Sequence, residues 1–188
     1  PLVGHALAAA LASGVASIPV VLGHAAEEVA AVVSGSSAGD ARVRLVVNPR
    51  HAEGQGTSVA AGARAVPTGA TGVLFLLADQ PLVRAPLLDR LLAIHQAEPD
   101  RVLVPTFEGR RGNPVLFPAD LLPALAGLSG ERGGRAVLEA VPDRVALVET
   151  ADPAVVTDVD TAETLAAVED RLAGSRDRRA PAAIDDDA

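Results

Sequence analysis

The sequence predicts a doubly wound α/β domain, built on a mostly parallel sheet with helices on both faces. Three observations point there. Strand-length runs such as Val73-Leu74-Phe75-Leu76-Leu77 are apolar without polar alternation, which marks strands covered on both faces. They alternate with stretches carrying helical apolar stripes, as Leu87, Leu88, Leu91 and Leu92 do. The chain has 188 residues, enough for one domain with a real core.

Taken in order, Leu2 to Ser13 reads as a helix and Ile18 to Leu22 as a short buried strand. Ala25 to Val33 is helical and Val43 to Val47 is a strand. Thr57 to Val66 is helical, Val73 to Leu77 a strand, and residues 86 to 97 a surface helix followed by the strand Val102 to Thr106. The alternation breaks after Phe107. Glu108-Gly109-Arg110-Arg111-Gly112 is turn-like and Asn113 to Phe117 is a second extended run, so an antiparallel excursion is expected there. Short helices over Pro118 to Ala126 and Arg132 to Ala140, a strand over Val145 to Val148 and a last helix from about Thr161 to Leu172 complete the domain, set at residues 1–173. Residues 174–188 turn polar and end in Asp185-Asp186-Asp187, which reads as a disordered tail.

Composition removes several classes of function. Apolar residues make up 49% of the chain with Phe75, Phe107 and Phe117 as its only aromatics, so the core is aliphatic. The absence of cysteine excludes disulfides, thiolate metal sites and cysteine nucleophiles. All 16 basic residues are arginine, which excludes Schiff-base chemistry on lysine. A net charge of −8 argues against a nucleic-acid surface. The apolar opening of the chain is broken at Ser13-Gly14 and Ser17-Ile18-Pro19, too short for a membrane span and without the positive start of a secretory signal. A cytoplasmic protein without membrane partners is expected.

Several motifs carry potential chemistry. Leu77-Ala78-Asp79-Gln80-Pro81 ends an apolar strand with an acid, where ligands gather in open α/β sheets. A plain turn before the next helix explains the same residues, and from spacing alone it is the reading to take. Asp158-Val159-Asp160-Thr161-Ala162-Glu163 supplies further carboxylates for a cation beside phosphates, although Asp160 and Glu163 also have the spacing of an N-cap and its box. If that stretch is extended, Asp158 and Asp160 point to opposite sides, so one of them faces the site. Glu53-Gly54-Gln55-Gly56-Thr57-Ser58 sits between a strand and a helix, where glycines admit a ligand and free amides suit an anion or a base edge. An ordinary Thr or Ser cap accounts for it equally. Arg110-Arg111-Gly112-Asn113-Pro114 offers two guanidiniums for a phosphate, or a solvated hairpin tip. His24 reads as a loop residue, and His5, His51 and His95 share no zinc spacing.

Together and in this order, Pro1-Leu2-Val3-Gly4-His5-Ala6-Leu7, Val20-Val21-Leu22-Gly23-His24, the segments at 53–58 and 77–81, Arg111-Gly112-Asn113-Pro114-Val115-Leu116-Phe117 and Asp158-Val159-Asp160-Thr161 resemble the MobA-like nucleotidyltransferases. Among these the likeness is greatest to the molybdenum cofactor cytidylyltransferases. The resemblance runs from Pro1 to about Leu172 and implies the Rossmann-like fold of the nucleotide-diphospho-sugar transferases, with CTP or GTP as donor and Mg²⁺ or Mn²⁺ as cofactor. It implies that Asp79 and Asp160 are catalytic and hold the metal, with Asp158 as the rival to Asp160. It places Gly54, Gly56, Thr57, Ser58 and Gln80 near the nucleotide, and Gly112 and Asn113 toward the acceptor. The implied acceptor is a molybdopterin-type phosphate, with a molybdoenzyme apo-protein as a further partner. Two positions depart from the family's pattern: Asn113 stands where many relatives have histidine and Ala78 where many have glycine. Members open with a strand and a glycine-rich loop that cradles the triphosphate, and Pro1 corresponds to a point just after it. Residues 1–188 alone are therefore expected to transfer little. The alternatives are an inactive binding or chaperone module for cofactor insertion, and a cytidylyl- or guanylyltransferase acting on another small phosphate. A dinucleotide-dependent oxidoreductase lacks support, because no Gly-x-Gly-x-x-Gly follows the first strand.

Overall fold

The computed structural model describes residues 1–159 together with Thr164 and Val168. Helix α1 (Leu2–Leu11) leads to strand β1 (Ile18–Leu22), α2 (Ala26–Ser37), β2 (Val43–Val47), α3 (Gln55–Ala65), β3 (Gly72–Phe75) and α4 (Ala85–Ala97). There follow β4 (Val102–Phe107), β5 (Arg110–Arg111), β6 (Val115–Pro118), α5 (Leu122–Ala126), α6 (Arg135–Ala140) and β7 (Val145–Glu149). Short 3₁₀ turns occupy His51–Glu53, Ala119–Leu121, Pro142–Arg144 and Pro153–Val156. Of the helix expected over residues 161–172, Thr164 and Val168 are helical. Its other residues, Asp160 and the tail expected at 174–188 lie outside the described residues.

The fold class is the expected mixed α/β, and the strand directions are partly antiparallel. β1 and β2 form a two-stranded parallel sheet, in register from Ile18 with Val43 to Leu22 with Val47. The second sheet has the order β3-β6-β4-β5, with β7 on β4. β7 runs parallel to β4, whereas β5 and β6 run against it, and β6 also runs against β3. The reversal follows from the chain. Glu108 (φ 50°) and Gly109 (φ 75°) fold β4 directly back onto β5, and a link that short can join only antiparallel strands. β3 stops at Phe75, two residues short of the expected end. Its partner β6 starts at Val115, directly after Pro114, which has no N–H to continue a ladder.

Both faces of the central strands β4 and β6 are covered, as uninterrupted apolar strands require, whereas Leu45 and Val47 of β2 and Leu147 of β7 are exposed. One face places Val102, Val104, Val115 and Phe117 against Ala63, Leu121, Leu125 and Val137 of the segments around α3, α5 and α6. The other packs Leu103, Leu116 and Val148 on Leu91 of α4. Leu7, Ala10 and Val33 of α1 and α2 cover Ile18. Gly62 of α3 ties the two sheets together, because its missing side chain leaves room for Phe75 of β3 and Val21 of β1 at 3.3 and 3.4 Å from where a Cβ would stand. No helix among the described residues is long and apolar enough to cross a membrane.

Candidate functional site

Asp79 and Gln80 lie in the turn that follows β3, so the expected turn is there. The same turn meets the second acidic motif. After β7 the chain bonds to the end of β4 (Thr150 N–H to Thr106 O, 2.8 Å) and then crosses to the end of β3. The crossing is held by backbone bonds from Asn113 N–H to Val155 O at 2.9 Å and from Val159 N–H to Asp79 O at 2.8 Å. Gln80, 1% exposed, donates from Nε2 to Asp158 Oδ1 at 2.6 Å and to Val155 O at 3.4 Å. Asp158 itself is exposed, so the buried amide fixes the carboxylate by one oxygen and leaves it open to solvent. The resemblance places Gln80 beside the nucleotide; its amide is turned to the 155–159 arm.

Gly112 is part of the same contact. A Cβ there would stand 2.6 Å from the Val155 carbonyl carbon and closer still to its oxygen, so this position admits glycine alone. Its N–H bonds Pro105 O at 2.8 Å. Asp79, Gln80, Gly112, Asn113 and Asp158 thus form one group at the end of the sheet where β3 and β4 finish and β6 begins. Arg110 and Arg111, the candidate phosphate clamp, are exposed on β5.

Gly54, Gly56, Thr57 and Ser58 form a second group at the start of α3. The helix begins at Gln55, two residues earlier than the sequence suggests, and its N-cap Gly54 (φ 109°) makes no side-chain cap bond. The Thr or Ser cap considered from the sequence is not present. Thr57 instead turns its hydroxyl back to Gly54 O and Arg50 O, each at 2.9 Å. The glycines are required by a neighbouring loop, since a Cβ on Gly54 would lie 2.5 Å from the Gly130 carbonyl carbon and one on Gly56 2.8 Å from Gly130 O. Gly56 N–H donates to Gly130 O at 2.7 Å. Glu53 is engaged by Arg50, whose guanidinium holds the carboxyl below its ordinary range.

Asn48 is absent from the motifs that the sequence marks. It is 4% exposed and bonds Thr57, Ser58 and the backbone at Arg50, while its own N–H reaches Leu22 O at 2.7 Å. An asparagine before a proline at a strand end is the signal that could have exposed it. The loop Ser129 to Gly134 is absent from those motifs as well, and its cluster of glycines is the available cue. His24 is an exposed loop residue, with its ring centroid 6.4 Å from that of His51. His95 is buried beside Thr71.

The donor set can be tested against a divalent cation. Among the described residues no group of three or more His, Cys, Asp or Glu side chains converges. Asp79 and Asp158 stand on segments joined by the bond from Val159 N–H to Asp79 O, and each carries hard carboxylate oxygens of the kind magnesium and manganese take together with water and substrate phosphate. The residues fit that use.

In open α/β sheets ligands gather at the carboxyl ends of the strands, and Asp79 stands just beyond that end of β3. The chain belongs to the MobA-like NTP transferase domain family, whose model matches residues 1–145. It is 35% identical over 113 residues to the purine catabolism protein PucB of Bacillus subtilis (strain 168), covering 59% of this chain and 54% of PucB. The match therefore spans about half of that relative's length. The fold is similar to Rv0371c of Mycobacterium tuberculosis H37Rv, solved in complex with manganese (TM-score 0.67, 25% identity, 89% of this chain and 85% of that one). It is also similar to Mth528, a nucleotidyl transferase from Methanothermobacter thermautotroptrophicus (TM-score 0.73, 24% identity, 93% and 81%), a likeness of fold.

Proposed function

We propose that this domain, read as residues 1–173, transfers a nucleotide from CTP or GTP to a small phosphorylated acceptor, a molybdopterin-type phosphate first, and releases pyrophosphate. The observation that carries this reading is the 155–159 arm, clamped by Gln80 and Gly112 so that Asp158 lies beside the turn of Asp79. The family match and the manganese complex of Rv0371c support a nucleotide and a divalent cation.

In this reading an acceptor phosphate oxygen attacks the α-phosphorus and the bond to the β-phosphate oxygen breaks. The nucleophile is already anionic, so no covalent enzyme intermediate is needed and the protein's work is alignment and neutralisation of charge. Asp79 and Asp160, or Asp158 in place of Asp160, would hold Mg²⁺ or Mn²⁺; of the two rivals Asp158 is the one among the described residues. The cation, when bound, offsets the negative charge of the phosphates. The start of α3 receives the nucleotide, and Gly112 and Asn113 face the acceptor.

The test is pyrophosphate release from CTP and from GTP, with Mg²⁺ or Mn²⁺ and a molybdopterin acceptor. Acceptor-dependent release supports the reading. Release with a different small phosphate alone would move the acceptor class, and the absence of release with every donor would reject transfer.

A further inference from the structure

We infer that Asn48 sets the hydroxyl of Ser58 as a hydrogen-bond donor toward an acceptor oxygen of the bound nucleotide, which makes Asn48 a positioning residue and Ser58 the ligand-facing hydroxyl of its loop. The inference rests on the nucleotide reading above and deepens it. The orientation of the Asn48 amide follows from its partners. Oδ1 accepts the Arg50 N–H at 3.0 Å, so Nδ2 lies on the opposite side, 3.0 Å from both Thr57 Oγ1 and Ser58 Oγ. Turning the amide over would aim an NH₂ at the Arg50 N–H, donor against donor.

The two hydroxyls then differ. Thr57 accepts from Asn48 and donates its single proton to the carbonyl of Gly54 or Arg50, which exhausts it, and it is buried. Ser58 also accepts from Asn48, so its proton must point away from that amide. Ser58 is half-buried on the first turns of α3. A hydroxyl held this way favours an acceptor oxygen and disfavours a donor. Asn48 is fixed in turn, because its backbone N–H is tied to Leu22 O of β1 and its side chain is buried with both Nδ2 and Oδ1 engaged.

Replacing Asn48 by aspartate reverses the polarity. The variant Asn48→Asp keeps the bond from the Arg50 N–H but accepts the Ser58 proton, leaving lone pairs toward the ligand. Binding of CTP with Mg²⁺ or Mn²⁺ is measured by calorimetry for wild type, Ser58→Ala, Asn48→Asp and the double variant, with circular dichroism to verify the fold. Ser58→Ala is expected to raise Kd about tenfold and Asn48→Asp about ten- to a hundredfold. In the Ser58→Ala background the second substitution should add less than about threefold, since its route to the ligand has gone. A purely structural Asn48 would give the same loss in both backgrounds, and that result overturns the inference. So does CTP binding by Ser58→Ala that equals wild type, a measurement that stands even if Asn48→Asp does not fold. Failure of the wild type to bind CTP or GTP under these conditions removes the nucleotide reading, and the inference with it.

Discussion

Gly112→Ala probes the junction on which the site depends. The added methyl would stand 2.6 Å from the Val155 carbonyl carbon and 3.0 Å from Val155 Cβ. Unstrained carbons keep about 3.5–4 Å, so the Val155 backbone must withdraw by roughly 1 Å. The bond from Asn113 N–H to Val155 O, now 2.9 Å, would not survive that shift. Overpacking costs about 1–3 kcal/mol and a stranded backbone group about 1–3 kcal/mol more. Taking about 3 kcal/mol in total, a domain of this size should melt about 6–12 °C lower. The same shift draws Asp158 away from Gln80 and Asp79, and misplacement by about 1 Å should lower turnover by around a hundredfold. Gly127→Ala serves as a control, because its new Cβ would meet nothing closer than 3.6 Å and its φ of −87° suits alanine. Thermal unfolding and pyrophosphate release on both variants decide it. A Gly112→Ala protein melting within about 2 °C of wild type with unchanged turnover would refute the reasoning.

Other outcomes follow from the same geometry. Asp79→Ala should abolish transfer while the thermal midpoint stays within a few degrees, since a half-buried turn acid contributes to the site more than to the core; near-normal turnover would reject the assignment. Leu103→Ala removes a side chain with no exposed surface from beneath α4, between Leu91 and Leu116, and should cost about 2–5 kcal/mol in denaturant titration. The Arg144 guanidinium holds the Asp120 carboxyl below its ordinary range, so the pair contributes stability above the unfolded carboxylate pKa and loses it as pH falls through the lowered value. Asp120→Asn should therefore flatten the fall in melting temperature between about pH 5 and about pH 2 and alter it little above pH ~6.

The elements that the sequence made legible are those whose side chains answer to one demand. Ile18–Leu22 and Val43–Val47 have the expected limits because both are short runs rich in Val, Leu and Ile between turns. Pairing partners were less visible. Nothing local in Val115-Leu116-Phe117 says that it enters between β3 and β4, a result of chain reversal at Glu108-Gly109 and long-range packing. Helix starts shifted where a contact distant in sequence decides them: α6 begins at Arg135, after Gly133, which lies against Gln55. In the candidate site, the sequence marks Asp79 by its place after an apolar strand, and the resemblance marks Gly112. The reason for Gly112 was not legible, because Val155 meets it only in the folded chain. Asn48 stayed hidden for the same reason, its partners being set by the return of α3 across the end of β2.

The most direct measurement is a Mn²⁺ titration followed by electron paramagnetic resonance, in the presence of CTP, on wild type, Asp79→Ala and Asp158→Ala. The account predicts one nucleotide-dependent manganese site in the wild type that each substitution weakens by at least about tenfold. Undiminished manganese binding in both variants would contradict it.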